Sequence, residues 1–268
     1  MNQAQIPASP LFECRGVHYA YQGRFPALCG IDMTISRGQR IAFLGANGCG
    51  KSTLLNLLDG LVFPDMGSVT FMGKELTETM FSDQGFSSGF RRSVGLVFQN
   101  PDVQLFCPTV REDIAFGPLQ LGVDESTVKA RIGSLAETLG ITHLLDRSPH
   151  QLSVGEKRKV AFATVLAIDP DVLLLDEPTA GLDPQTSTHL IEMLSTAAGS
   201  GKTIVTATHD LHIIEDIADT VYIFGQDRRM AGHGSPAEIL ADTPLLQANN
   251  LIHRHSHHAR DHRAMRIG

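Results

Sequence analysis

The residues with the clearest chemical potential form the run Gly45-Ala46-Asn47-Gly48-Cys49-Gly50-Lys51-Ser52-Thr53. It fits the pattern G-x-x-x-x-G-K-[ST] and lies between a strand-like run, Arg40–Leu44, and an apolar-periodic helix. Glycines let the backbone curl so that successive N–H groups point at phosphate oxygens, and a helix N-terminus adds partial positive charge. Lys51 is expected to reach the terminal phosphates of a nucleoside triphosphate, and the Ser52 hydroxyl to ligand Mg²⁺. The plainer reading is an ordinary glycine-rich strand-to-helix turn, which the flanking strand, the lysine and the hydroxyl together argue against. Cys49 reads first as a tolerated small residue, although a thiol at a helix N-terminus is also expected to be more acidic than a free one.

A second run, Val172-Leu173-Leu174-Leu175-Asp176-Glu177, is an apolar strand ending in two carboxylates. Such a strand delivers them to the sheet edge where a crevice opens. There Asp176 is expected to help hold the metal, and Glu177 to polarise an attacking water as general base. A third, Gln151-Leu152-Ser153-Val154-Gly155-Glu156-Lys157-Arg158, places a serine and a glycine before an amphipathic helix, and so presents N–H groups, a hydroxyl and a helix N-terminus to an anion. A capped surface helix would look the same locally.

The elements that must position these groups follow from periodicity and turn signals. Strands are expected at Leu11–Tyr21, Leu28–Ile35, Arg40–Leu44, Val69–Met72 and Ser93–Phe98. The helix carrying Leu54, Leu55, Leu57, Leu58 and Leu61 is expected to end at Phe63-Pro64. Helices follow at Val110–Phe116, Ser126–Leu139 and Gly155–Ile168, after which strand and helix alternate: Val172–Leu175, Gln185–Ala198, Thr203–Ala207, Leu211–Ala218, Val221–Phe224. Alternation of this kind predicts an α/β fold with a mainly parallel sheet, a helical insertion over about 101–167, and no internal repeat.

Bulk properties narrow the class. With 29 acidic against 22 basic residues the net charge is −7, which gives no sign of a nucleic-acid partner. Cys14, Cys29, Cys49 and Cys107 have neither a metal-type spacing nor a close pair, and read as reduced thiols. The first ten residues are polar, and no run approaches the roughly 20 apolar residues of a membrane helix. A soluble chain that does not itself cross a bilayer is expected.

The order of the motifs, ending in Thr208-His209-Asp210, resembles that of the ABC ATPases, from about Leu11 to Leu240. The resemblance implies a P-loop NTPase fold with an N-terminal antiparallel β subdomain, a nucleotide-binding domain over 10–245, and ATP with Mg²⁺ as its ligands. It implies that Tyr21 stacks on adenine, with Tyr19 the nearby competitor, and that Gly45 to Thr53 bind the phosphates. Gln99 matches the family's glutamine sensing metal and attacking water, with Ser52 and Asp176 as its companions at Mg²⁺. His209 matches the histidine at the γ-phosphate, beside Glu177 and Lys51. Ser153, Gly155, Glu156 and Asp183 match residues that reach ATP across a head-to-tail dimer. Tyr21 as an edge-strand aromatic and His209 as a strand-terminal histidine are the plainer alternatives. The family's usual Leu-Ser-Gly-Gly-Gln reads Leu152-Ser153-Val154-Gly155-Glu156 here, which predicts a competent but slower site, with Lys157, Arg158 and Lys159 offsetting the added carboxylate.

Gln99-Asn100-Pro101-Asp102-Val103-Gln104-Leu105-Phe106 and the residues after it look like the energy-coupling-factor branch of importers. That implies an ATPase pair at the cytoplasmic face of the membrane, seated on a transmembrane coupling protein with a substrate-capture membrane protein; because every catalytic motif is intact in this chain, the pair is expected to be a homodimer. A cobalt cargo leads nickel narrowly, and a vitamin importer is the alternative. The segment 246–268 is expected to be a histidine-rich tail, with His253, His255, His257, His258 and His262 as potential adventitious metal ligands; no transition-metal site is assigned. A non-transport ABC ATPase and a binding module without turnover are the competing classes.

Overall fold

A computed structural model describes residues 10–252. The histidines of the C-terminal segment, from His253 onward, lie outside the described residues. Two sheets share one core. The first is antiparallel: β1 (Phe12–Tyr21) pairs with β2 (Phe25–Ile35) and with β4 (Met66–Phe71), and β4 pairs with the short β5 (Lys74–Glu75). The second runs in the order β10 (Met230–Gly234), β9 (Thr220–Phe224), β3 (Arg40–Gly45), β8 (Thr203–Thr208), β7 (Val172–Asp176), β6 (Val94–Val97). Its pairs are parallel except β9 with β10. The parallel strands β6, β7 and β8 are buried along their whole length, β6 and β7 as mainly apolar runs and β8 with three buried threonines.

Helix α1 (Lys51–Leu58) lies between the two sheets, and Leu54, Leu55, Leu57 and Leu58 are buried there with Phe12, Ile31, Phe43, Val69, Leu174 and Val205. The helix stops earlier than the apolar pattern predicts. Gly60 takes φ +65°, Leu61 N–H donates to the Asn56 carbonyl (2.9 Å), and Gly60 N–H donates to that of Leu57 (3.1 Å). This is a Schellman end, which only glycine enters without strain. A side chain at Gly60 would also meet the Phe81 ring at 2.2 Å. Leu61 is thereby turned out, 45% exposed.

Two short helices absent from the sequence reading, α2 (Glu78–Ser82) and α3 (Gln84–Ser93), follow, each capped by its preceding Thr77 or Asp83. Between β6 and β7 the chain makes a helical arm: α4 (Val110–Gln120), α5 (Glu125–Thr138) and α6 (Val154–Leu166) pack around Ile114, Val128, Ile132, Leu144 and Val160. Because β6 and β7 are neighbours, the arm springs from one edge of the sheet and returns to it. α4 continues past Gly117-Pro118, since the carbonyls of those residues still accept from Leu121 and Val123.

The remaining helices are α7 (Pro184–Gly199), α8 (Ile214–Ile217), α9 (Pro236–Ala241) and α10 (Thr243–Ala248). The packed body extends beyond the expected boundary at residue 245: Leu246 is buried, and Leu251 and Ile252 pack on the same cluster. Among the described residues no helix is long and apolar enough to cross a membrane.

One buried charge makes folding pH-dependent. Asp59, 5% exposed at the end of α1, accepts from Arg91 at 2.8 Å, yet burial pushes its carboxyl up to about 6 against that pairing. The folded state therefore holds this proton longer than the unfolded chain. The stability it contributes is present near pH 4 and lost as pH rises to about 6. Asp59→Asn removes the effect, so the melting temperature of the parent, relative to that of the variant, should fall by a few degrees across this window. Thermal scans of both proteins at each pH check it; an unchanging difference would contradict it.

Candidate active site

The turn from β3 into α1 is held by backbone constraints that few sequences satisfy. Gly50, φ +108°, lies so close to β2 that a Cβ would meet the Ala27 carbonyl at 2.4 Å, and one on Gly45 would meet the Cys49 sulfur at 2.5 Å. α1 begins at Lys51 with no capping side chain and no acidic residue in its first turn. By contrast α6 and α7 begin with Ser153 and Asp183, whose side chains accept from Glu156 and Thr186. The first N–H groups of α1 thus face a cleft and attract an anion.

Lys51 is 5% exposed; its ammonium donates to the carbonyls of Gly45 (2.7 Å) and Ala46 (3.2 Å) and stands 3.7 Å from Glu177 Oε1. Glu177, also buried, sits just past β7 with φ +48°, a turn that aims its carboxylate across the strand ends. His209 Nδ1 donates to Glu177 Oε1 at 2.9 Å, and the Thr208 hydroxyl donates to Oε2 at 3.3 Å, so the end of β8 fixes that carboxylate. With Nδ1 so engaged, the His209 Nε2 is left toward the neighbouring space.

The Lys51 cleft measures about 310 Å³ and is lined by Tyr21, Phe25, Asn47, Gly48, Gly50, Lys51, Ser52, Thr53, Gln99, Glu177 and Arg228. Glu177 also walls a second hollow of about 490 Å³, shared with Thr179, Ala180, Gly181, His209, Asp210 and His212. The Tyr21 hydroxyl lies 3.1 Å from Thr53 Oγ1 and its ring is 42% exposed beside the loop. Tyr19 is packed on the core and meets Tyr21 edge-on at 5.1 Å. Tyr21, and not Tyr19, therefore offers a face to the cleft.

Asp176 is buried, and the Ser52 hydroxyl is near enough to favour its ionised carboxylate. Burial raises its pKa, Ser52 opposes that, the Glu177 charge raises it further, and Lys51 lowers it. Its Oδ1 has no hydrogen-bond partner among the described residues. An orphaned carboxylate oxygen beside a hydroxyl, with the Gln99 amide in the same cleft, is a donor set suited to a hard divalent cation, so these residues fit Mg²⁺.

Some expectations change. Cys49 is 2% exposed, and burial raises its thiol pKa despite the opposing charge of Lys51, so the expected acidic thiol does not arise. Lys157 and Arg158 do not offset Glu156: Lys157 pairs with Asp102 at 2.6 Å and Arg158 donates to the Glu177 carbonyl at 2.8 Å. Glu156 instead folds back to accept from the Ser153 N–H at 2.8 Å. Ser153 lowers the Glu156 pKa most, with Arg147 and His143 assisting. Ser153, Gly155, Glu156 and Asp183 do not line the Lys51 cleft of their own chain. Sequence reasoning missed Phe25 and Arg228. Phe25 is 59% exposed and begins β2 just after the β1–β2 turn. Arg228 had no local signal; it arrives from the β9–β10 turn, where its carbonyl accepts from Cys29 at 2.9 Å.

Comparison with known proteins agrees with this architecture. The family model described as ABC transporter matches residues 28–180. A nickel import ATP-binding protein of Rhodobacter capsulatus is 49% identical over 247 residues, 91% of this chain and 96% of its own. An ABC transporter ATP-binding protein assigned putatively in Methanosarcina acetivorans is 47% identical, covering 92% and 91%. Among solved structures, cbiO1 of Clostridium perfringens, described as part of the ABC transporter complex cbiONQ, superposes with a TM-score of 0.74 at 37% identity, covering 91% and 95%. The chain belongs to the ABC transporter family, as an ATP-binding subunit that hydrolyses ATP.

Proposed function

We propose that this chain powers an importer of the energy-coupling-factor type, drawing a transition-metal cation into the cell. The observation that carries the catalytic part is the convergence of Lys51, Ser52, Gln99 and Glu177 on one cleft, with the buried Asp176 next to Glu177 at the end of β7. Tyr21 receives the adenine face, and Gly45, Ala46, Asn47, Gly48, Cys49, Gly50 and Thr53 with Lys51 and Ser52 receive the phosphates. Ser52, Asp176 and Gln99 would hold Mg²⁺, which when bound would neutralise negative charge on the triphosphate. Glu177 takes a proton from water as the water oxygen bonds the γ-phosphorus; the bond between that phosphorus and the β–γ bridging oxygen breaks, and ADP leaves with the electron pair. Thr208 and His209 keep the Glu177 carboxylate aimed.

The chain works as a homodimer. Ser153 and Asp183 are exposed and away from their own cleft, and Val154 stands 60% exposed between Ser153 and Gly155. A head-to-tail second copy would bring Ser153, Gly155, Glu156 and Asp183 to the far side of the triphosphate. Glu156 N–H donates to Ser153 Oγ, so the hydroxyl proton stays free to donate to an anion.

A groove of about 370 Å³ between the sheet edge and the helical arm, lined by Leu61, Phe98, Phe106, Phe116 and Ile168, supports docking of a transmembrane coupling protein. The exposed, edge-to-face pair Phe106 and Phe116 (4.9 Å) forms its rim. With a second membrane protein that captures the cargo, the chain works at the cytoplasmic face of the membrane. The sequence favours cobalt narrowly, and the similarity to a nickel import ATPase puts nickel level with it.

Two outcomes follow. Glu177→Gln should lower turnover about 100-fold or more while ATP binding persists and an ATP-dependent dimer accumulates, read by phosphate release and size-exclusion chromatography. Parental turnover in that variant would remove Glu177 from the chemistry. In cells carrying the intact transporter, uptake of radiolabelled Co²⁺ or Ni²⁺ should be lost with Lys51→Ala; uptake of neither ion by the parent would redirect the cargo to a vitamin.

A further inference from the structure

The strand β6 leaves the sheet at Phe98, passes Gln99 and turns through Pro101–Val103 into the wall of the apolar groove. The next residue, Gln104, uses both halves of its amide. Its Oε1 accepts from the Phe98 N–H at 3.3 Å, while its Nε2 donates to the Ala161 carbonyl at 2.8 Å and to the Thr164 hydroxyl at 2.7 Å. Ala161 and Thr164 belong to α6, the helix that begins beside Ser153. An independent contact joins the same two elements: Asp102 pairs with Lys157 of α6 at 2.6 Å. Six residues before Thr164 on the same helix, Arg158 reaches the catalytic strand end by donating to the Glu177 carbonyl at 2.8 Å.

One helix is therefore bonded to the backbone beside Gln99 and to the backbone of Glu177. Gln104 is also part of the groove wall, between Phe98 and Phe106. A half-buried amide with three bonds to two elements has little freedom to shift one without the other, because breaking either arm leaves a desolvated polar group unpaired.

We propose that Gln104 is a positioning residue for hydrolysis: it ties the exit of β6 to α6, and so sets Gln99 against the nucleotide in register with the Ser153 helix start. The inference rests on the reading of the Lys51 cleft as the ATP site.

The test uses the full chain, with steady-state ATP hydrolysis, binding of a fluorescent ATP analogue, and thermal melting. Gln104→Met keeps the volume and removes all three bonds; Gln104→Glu keeps the acceptor for the Phe98 N–H and loses the donor. The methionine variant should lower kcat about 10-fold with KM within about twofold of the parent, and the glutamate variant should fall between the two. A residue that merely glues the fold would lower melting in both variants and leave kcat of the folded protein alone; that result overturns the proposal, as do equal losses in the two variants. Should the methionine variant not fold, reduced kcat at unchanged KM in the glutamate variant supports the proposal, and parental kcat there overturns it. A parent that binds no ATP analogue would sink the functional reading itself, whereas parental kcat in a folded variant sinks only the role of Gln104.

Discussion

An ammonium group removed from water must be surrounded by acceptors, and Lys51 meets that demand with two carbonyls of its own loop and the Glu177 carboxylate at 3.7 Å. This requirement ties three parts of the chain to one another. The loop must curl so that Gly45 and Ala46 present their oxygens, α1 must start at Lys51, and β7 must end where Glu177 can turn back. Glu177 in turn is held by Thr208 and His209 from the end of β8. The loop carbonyls that receive the ammonium belong to the same turn whose N–H groups face outward, so a triphosphate can draw on both the lysine and the backbone.

The parallel order of β3, β8 and β7 makes this arrangement possible. All three strands release their chain at the same edge, so that Gly45–Thr53, Thr208-His209 and Asp176-Glu177 meet although about 160 residues separate the first from the last. α1 is clamped between two sheets by four buried leucines, which fixes its N-terminus without a cap. The antiparallel sheet contributes the Tyr21 face, and the start of α6 at Ser153 lies away from the cleft of its own chain, which the proposed head-to-tail pairing of two copies requires.

Much of this was legible in the residues. The loop, the Asp-Glu strand end and the strand-helix alternation each have a local physical signature, and the strands expected from periodicity appear within a few residues of their bounds, whereas β5 and β10 were not foreseen. What was hidden depends on contacts remote in sequence. α1 ends at Gly60 instead of Phe63-Pro64 because Gly60 adopts a left-handed turn under Phe81, while the apolar pattern runs on through Leu61. Cys49 looked like a helix-start thiol, but burial against the core reverses its pKa direction. Glu156 looked like a charge in need of neighbouring cations, and it closes a capping box with Ser153 instead. Arg228 enters the cleft only because β9 and β10 fold its turn against β2.

The most direct measurement of the account is equilibrium binding of ATP with magnesium to the purified full chain and to its Lys51→Ala variant, by titration calorimetry. The expected result is saturable binding by the parent, weakened about 100-fold or more when the ammonium is removed. Equal affinity in the two proteins, or none in the parent at millimolar ATP, would contradict it.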